Sequence, residues 1–414
     1  MHQSRFVPVL IFIGILLLVD IYSFQAVRLL SSSFSVFWKR FSYFLFWGLS
    51  ASSILVIGIA TMSKWQEWPS GLKTYLFATL FILFFTKLII SIFLLTDDSL
   101  RGVRWVAQTI SPSKTNEGIS RLKFISQAGL IVSGLFLFNF VYGMVKTGFN
   151  YRVYRIKLKL ANLPDAFIGK KIIQISDLHT GSFVSTSPIE RAIKMVNEEK
   201  ADIIFFTGDL VNDRYDEALP FKKCLSSIHA PLGVYSILGN HDYGDYYQWE
   251  SVEAKKQNLD KLKALHKEFG WKLLLNEHIR IGAPGNDIAL IGIENWGALH
   301  GFAKYGDLEK AYAGSEDAQL KLLLSHDPSH WDAQVNTNYK DIAATFAGHT
   351  HGFQFGFEIP GIKWSPAQWL YKQWAGLYEN GNQKLYVNRG LGFLFYPGRV
   401  GIAPEITVFE LEKA

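Results

Sequence analysis

The chain has 414 residues, 49% of them apolar and 15% aromatic, which excludes a disordered or polyelectrolyte polypeptide. Its formal charge of +6 is unevenly spread: the first 150 residues hold 13 of the 42 Lys and Arg and 5 of the 36 Asp and Glu, leaving 29 basic and 31 acidic residues for the other 264. The basic excess therefore flanks apolar segments, and no nucleic-acid binding is expected.

Four stretches are long and apolar enough for the roughly 30 Å hydrocarbon layer, which takes about 20 helical residues. They run over residues 6–27, 41–62, 75–95 and 127–146. The first has no small-residue cleavage site and further spans follow it, so it is read as a retained span and not a signal peptide. Asp20 and Lys87 are the costly polar residues inside these spans; Asp20 is expected near an interface and Lys87 paired within the bundle.

Arg28, Lys39, Arg40, Arg101, Arg104, Lys114, Arg121 and Lys123 lie in the first and third loops, against Arg5, Lys64 and Lys73 on the opposite side. This bias favours both termini outside the cytoplasm, although Arg152, Arg155, Lys157 and Lys159 pull the other way. The chain is thus expected to be an integral membrane protein, of a bacterial cytoplasmic membrane, with an extracytoplasmic C-terminal domain.

From Tyr151 the pattern changes to short apolar runs: 171–176, 203–207, 233–238, 288–293, 320–324 and 342–346. Helical patterns at 187–199 and 252–269 lie between them, and Tyr151 to Leu160 alternates like a strand. A layered α/β domain over residues 151–414 follows, after a transmembrane region over 1–146.

Metal-competent residues close five of these segments: Asp177-Leu178-His179, Gly208-Asp209, Gly239-Asn240-His241-Asp242, Ser325-His326-Asp327 and Gly348-His349-Thr350-His351-Gly352. Each alone is more often structural, but loops after buried strands converge easily on one site. The single cysteine, Cys224, excludes an intramolecular disulfide and a thiolate cluster, and is read as a small buried side chain.

The ordered set Asp-x-His, Gly-Asp, Gly-Asn-His, a later His and Gly-His-x-His resembles the calcineurin-like metallophosphoesterase family, most of all its membrane-anchored bacterial members. Asn388 to Gly392 and Pro404 to Ile406 match segments that recur in those members. The resemblance implies a four-layer α/β/β/α metallophosphoesterase sandwich and two divalent metal ions (Mn, Fe or Zn). It places Asp177, His179, Asp209 and His351 on one metal and Asp209, Asn240, His326 and His349 on the other, with Asp209 bridging through both carboxylate oxygens. His241 becomes the general acid. Such metals neutralise the phosphate and lower the pKa of a water molecule.

Two positions depart from the family pattern. Asn212 stands where an acidic residue often orients the acid histidine, leaving Asn212, Asp213 or Asp242 to fill that role. Phe353 replaces a glycine and is expected to pack, with an apolar substrate wall as the alternative. Five other histidines, His229, His266, His278, His300 and His330, are read as structural or surface residues. The aromatic segment 364–396, which includes Trp369 and Tyr371, suits either a lipid-facing cap or a core. Arg389 and Arg399 are candidate phosphate or headgroup contacts.

The expected activity is hydrolysis of a phosphodiester, phosphomonoester or pyrophosphate bond in a phosphorylated, possibly lipid-linked substrate. Two alternatives accompany it: resemblance to UDP-2,3-diacylglucosamine pyrophosphohydrolases of lipid A synthesis, and an inactive metal-binding membrane scaffold or sensor. Retention of every ligand argues against the scaffold, and a transporter has only Asp20 and Lys87 to support it.

Overall fold

The computed structural model describes residues 3–63, 65, 68–110 and 120–414; Lys64 and Lys114 lie outside the described residues. Two compact units divide at Tyr142 and Gly143.

The first unit holds α1 (Gln3–Leu30), α2 (Val36–Met62), α3 (Ser70–Ile110) and most of α4 (Ser120–Val145). All four are long and apolar enough to cross a membrane. Helix α3 outruns the expected span: Arg101 and Arg104, expected in a loop, continue it, and Arg101 pairs with Asp97 one turn earlier at 3.3 Å. Asp20 is held inside the helix bundle. It is buried, with Lys87 Nζ 2.6 Å from its Oδ1, and Lys87 also donates to Ser50 Oγ at 2.7 Å. A carboxylate among apolar helices persists when a cation and a hydroxyl take over the role of water.

The second unit contains two six-stranded sheets. One runs β1 (Arg152–Leu160), β14 (Glu405–Lys413), β2 (Lys171–Ile175), β3 (Ile203–Phe206), β4 (Val234–Ser236), β5 (Lys272–Leu273). The other runs β12 (Gly376–Asn380), β13 (Gln383–Val387), β9 (Ile342–Ala347), β8 (Leu320–Leu324), β7 (Asn286–Gly292), β6 (Glu277–Ala283). A separate hairpin pairs β10 (Phe357–Ile359) with β11 (Ile362–Trp364).

Strand alternation builds the layers. Ile172, Ile203 and Phe205 meet Leu320, Leu322, Leu324 and Phe346 between the sheets. Ile173, Ile204 and Phe206 point the other way, onto α5 (Ser187–Glu198), the single turn α6 (Lys222–Leu225) and α7 (Val252–Glu268). Leu323, Ile342 and Ala347 meet α8 (Leu308–Tyr312) and Trp331 on the far side. This is the expected α/β/β/α order. Strands buried on both faces explain why the sequence showed continuous apolar runs there.

Strands β2, β3 and β4 are parallel neighbours, as are β7, β8 and β9. Their carboxyl ends therefore share an edge in each sheet, and the loops leaving them carry every motif residue.

Candidate metal centre

Two clusters form where these loops meet: Asp177, His179 and His351, and Asp209, His326 and His349, with the ligand atoms of each cluster within 4.8 Å of one another. Asp209 connects them. Its Oδ2 lies 3.5 Å from His179 Nε2 and 3.2 Å from His326 Nε2. Its Oδ1 accepts the His241 backbone N–H at 2.9 Å, so one carboxylate oxygen faces both clusters instead of the two expected.

Imidazole orientation is set from behind. His326 Nδ1 donates to the Thr207 carbonyl at 2.7 Å, and His179 Nδ1 to Asn212 Oδ1 at 3.1 Å, which turns both Nε2 atoms inward. His179 Nε2 and His351 Nε2 are 3.0 Å apart. His349 turns Nδ1 towards His326 at 3.3 Å and places Nε2 at 2.7 Å from the Tyr371 hydroxyl.

The residues fit two divalent ions. Facing imidazole nitrogens around buried carboxylates need a cation or a proton between them. Among the described residues Asn240 Oδ1 is buried without a hydrogen-bond partner, which suits a neutral oxygen ligand. Oxygen and imidazole donors without thiolate suit Mn, Fe or Zn.

The backbone is bent to bring these groups together. Asp177, His179, Asp209, His349 and His351 all have φ between 47° and 72°, the left-handed region that non-glycine residues seldom occupy outside functional sites. Gly239 allows the approach: a Cβ there would sit 2.2 Å from Asp209 Oδ1.

Residues 4–148 match the family model described as the transmembrane domain of a probable calcineurin-like phosphoesterase, and residues 170–353 match that of the calcineurin-like phosphoesterase. The metallophosphoesterase YkuE of Bacillus subtilis is 30% identical over 260 residues, 62% of this chain and 84% of that protein. The chain belongs to the calcineurin-like metallophosphoesterases. It is an integral membrane protein and a metal-dependent hydrolase of phosphate ester or pyrophosphate bonds. The Danio rerio transmembrane protein with metallophosphoesterase domain is 29% identical over 66% of this chain and 60% of that protein, so this chain spans less than two thirds of it. The UDP-2,3-diacylglucosamine pyrophosphatase LpxG of Chlamydia trachomatis is 26% identical over 56% of this chain and 81% of that protein.

In this metallophosphoesterase His241 is held by the main chain of Asn212. Its Nδ1 donates to the Asn212 backbone carbonyl at 2.8 Å, while the Asn212 side chain serves His179. Asp242 instead ties the two ligand loops together. Its carboxylate accepts the amides of Asp209, Leu210 and Gly239 at 2.8–2.9 Å and of Val211 at 3.3 Å.

Burial pushes Asp177 and Asp242 up to about 7, with the Asp209 charge adding to both. Burial drives His179 down to about 3 and His349 to about 4. Burial also opposes charge on His326, but Asp209 outweighs it, so His326 holds a proton against an ionised Asp209. A bound metal competes with that proton.

The two arginines are not headgroup contacts. Arg389 is buried between Glu405 and Glu358, and Arg399 is fully buried against the carbonyls of Gly390 and Gly392 with Nη2 3.3 Å from His351 Nδ1. The Asn388-Arg-Gly-x-Gly segment buttresses the first motif, as Leu391 N–H donates to Ser176 O at 2.9 Å and Gly392 N–H to Asp177 O at 2.8 Å. Tyr371 had no assigned role in the sequence beyond its aromatic segment. Phe353 does not pack in the core; it is exposed on a left-handed backbone, while Gln354 is buried and holds the carbonyls of Tyr396 and Gly398. His330 and His266 are buried structural residues, bonded to Ser325 and Ser236.

Proposed function

We propose a membrane-anchored dinuclear phosphoesterase, with a membrane region over residues 1–146 and a catalytic domain over 151–414, that acts on an amphiphilic phosphodiester, phosphomonoester or pyrophosphate. Asp177, His179, Asp209 and His351 hold one ion; Asp209, Asn240, His326 and His349 hold the other, with manganese, or iron with zinc, in use. The observation that carries the reading is Asp209 Oδ2 lying within 3.5 Å of a histidine from each cluster.

The ions supply charge neutralisation and an activated water when bound. The protein supplies orientation. His241, held through Nδ1 on the Asn212 carbonyl, presents Nε2 to deliver a proton to the leaving oxygen. Tyr246, half exposed with its ring centroid 4.7 Å from that of His241, lines the approach, and Phe302 lies against His349 at 4.8 Å on the other side.

An amphiphilic substrate is supported by the four membrane-crossing helices, since a water-soluble metabolite gains nothing from a membrane-tethered site. The test compares kcat/KM of the full-length enzyme in mixed micelles for a UDP-diacylglucosamine, a phosphatidyl diester, an undecaprenyl-type pyrophosphate and soluble nucleotide diesters. Best turnover of the soluble diesters by a wide margin overturns the lipid reading. Best turnover of UDP-diacylglucosamine selects the LpxG-like alternative, which that relative's name supports. The bias of basic residues towards the first and third loops favours an extracytoplasmic domain; a reporter fused at Ala414 that is active only in the cytoplasm reverses this.

A further inference from the structure

Hairpin β10–β11 has its two faces reversed relative to a soluble sheet. Phe357 pairs with Trp364 and Ile359 with Ile362, so all four side chains share one face, with the Phe357 and Trp364 rings stacked at 5.8 Å. That face looks outward: Phe357, Ile359 and Ile362 are 46%, 56% and 58% exposed. The opposite face carries Glu358 and Lys363, and it is anchored on the body. Glu358 takes Arg389 Nε at 3.1 Å and Nη2 at 2.5 Å, while Lys363 donates to the Ala375 carbonyl and the Tyr378 hydroxyl. An antiparallel pair beside water normally buries its apolar side and exposes its charges.

The apolar surface continues beyond the hairpin. Trp364 meets Trp369 at 6.1 Å, and Trp369 and Leu370 are 72% and 60% exposed. Tyr371, next in sequence, bonds His349 in the metal centre, so the surface reaches the edge of the site.

We infer that this face docks into the headgroup layer of the bilayer that the helices cross. Continuity along the chain identifies the occupant. Gly356 N–H donates to Val400 O at 2.9 Å, and the same 394–400 loop receives the last turn of α4, where Arg399 N–H donates to Gly143 O at 3.3 Å and Gly398 packs on Gly143 and Met144. Helix α4 is long and apolar enough to cross a membrane and ends at Val145, so the loop is bonded to the residues that directly continue that helix. Phe395, 68% exposed, belongs to this loop. Aromatic and aliphatic side chains are stabilised at that depth, whereas in water they form an exposed patch.

Docking is separable from the choice of substrate, because it is read without turnover. In full-length protein carrying Cys224→Ala, an environment-sensitive probe is attached at Ile362→Cys, at Trp369→Cys as a second position, and at Val252→Cys on α7 as control, Val252 being 79% exposed. In vesicles containing lipids spin-labelled high on the acyl chain, probes at 362 and 369 are expected to be quenched several-fold more than the probe at 252. Equal quenching at all three overturns the inference. So does a probe at 362 and 369 shielded from both lipid and aqueous quenchers, which would show that a second copy or another protein covers the face.

Discussion

The side-chain oxygen of Asn212 accepts the Nδ1 proton of His179 at 3.1 Å, while the backbone carbonyl of the same residue takes Nδ1 of His241. One residue thus orients a candidate ligand through its side chain and the candidate acid through its main chain. Asn212→Ala removes the first of these bonds and keeps the second; it also removes the bond from Asn212 Nδ2 to Ser182 Oγ at 3.1 Å. Metal affinity is expected to fall about 10–100-fold, with activity largely restored by excess metal. Metal titration followed by kcat at saturating metal checks this, and an unchanged affinity would sink it.

Asp209 and His241 separate binding from proton transfer. Asp209→Asn is expected to lose both ions, because one oxygen faces both clusters. His241→Ala is expected to keep them and lose about 10²–10⁴-fold in kcat. Metal content and kcat measured on the same preparations decide the matter; an Asp209→Asn protein with two ions and full activity refutes the assignment.

Glu217 supports the Asn212 loop: its Oε2 accepts Asn212 N–H at 2.6 Å and Oε1 accepts Arg214 N–H at 3.3 Å. Burial pushes its carboxyl from 4.5 up to about 7, with those backbone donors opposing. Between these values the folded state binds more protons than the unfolded state, so stability falls as pH rises through the window. Allowing for the side chain's partial exposure, the change amounts to roughly 1–3 kcal/mol. Glu217→Gln removes this slope. Thermal midpoints of both proteins from pH 4.5 to 8, with metal saturating, should converge at low pH and separate in favour of the variant above 7; a constant difference refutes it.

Lys87 and Asp20 form a buried pair between α3 and α1. Lys87→Met leaves Asp20 and the Ser50 hydroxyl without their cation and is expected to destabilise the protein by about 3–5 kcal/mol. Adding Asp20→Asn should recover most of that loss. Thermal unfolding in detergent of the single and double variants gives the coupling, and additive losses would show that the pair does not matter.

The candidate ligand residues stood out in the sequence because each follows a strand buried on both faces. Such a strand is a short continuous apolar run, and the polar residue that follows it stands out, as with Asp177 after Ile175 and His326 after Leu324. The four membrane spans were legible for a similar reason: about 20 apolar residues in succession have few other uses. What only the tertiary structure decided was the partner of each polar atom. Asp242 meets the amides of two loops, Arg389 meets Glu358 and Glu405, and Asp20 meets Lys87. These partners lie up to 67 residues apart, and no local pattern specifies them. The hairpin is the sharpest case. Alternation places Phe357, Ile359, Ile362 and Trp364 on one face, but alternation has no sign, and the anchoring of Glu358 by Arg389 turned that face away from the body.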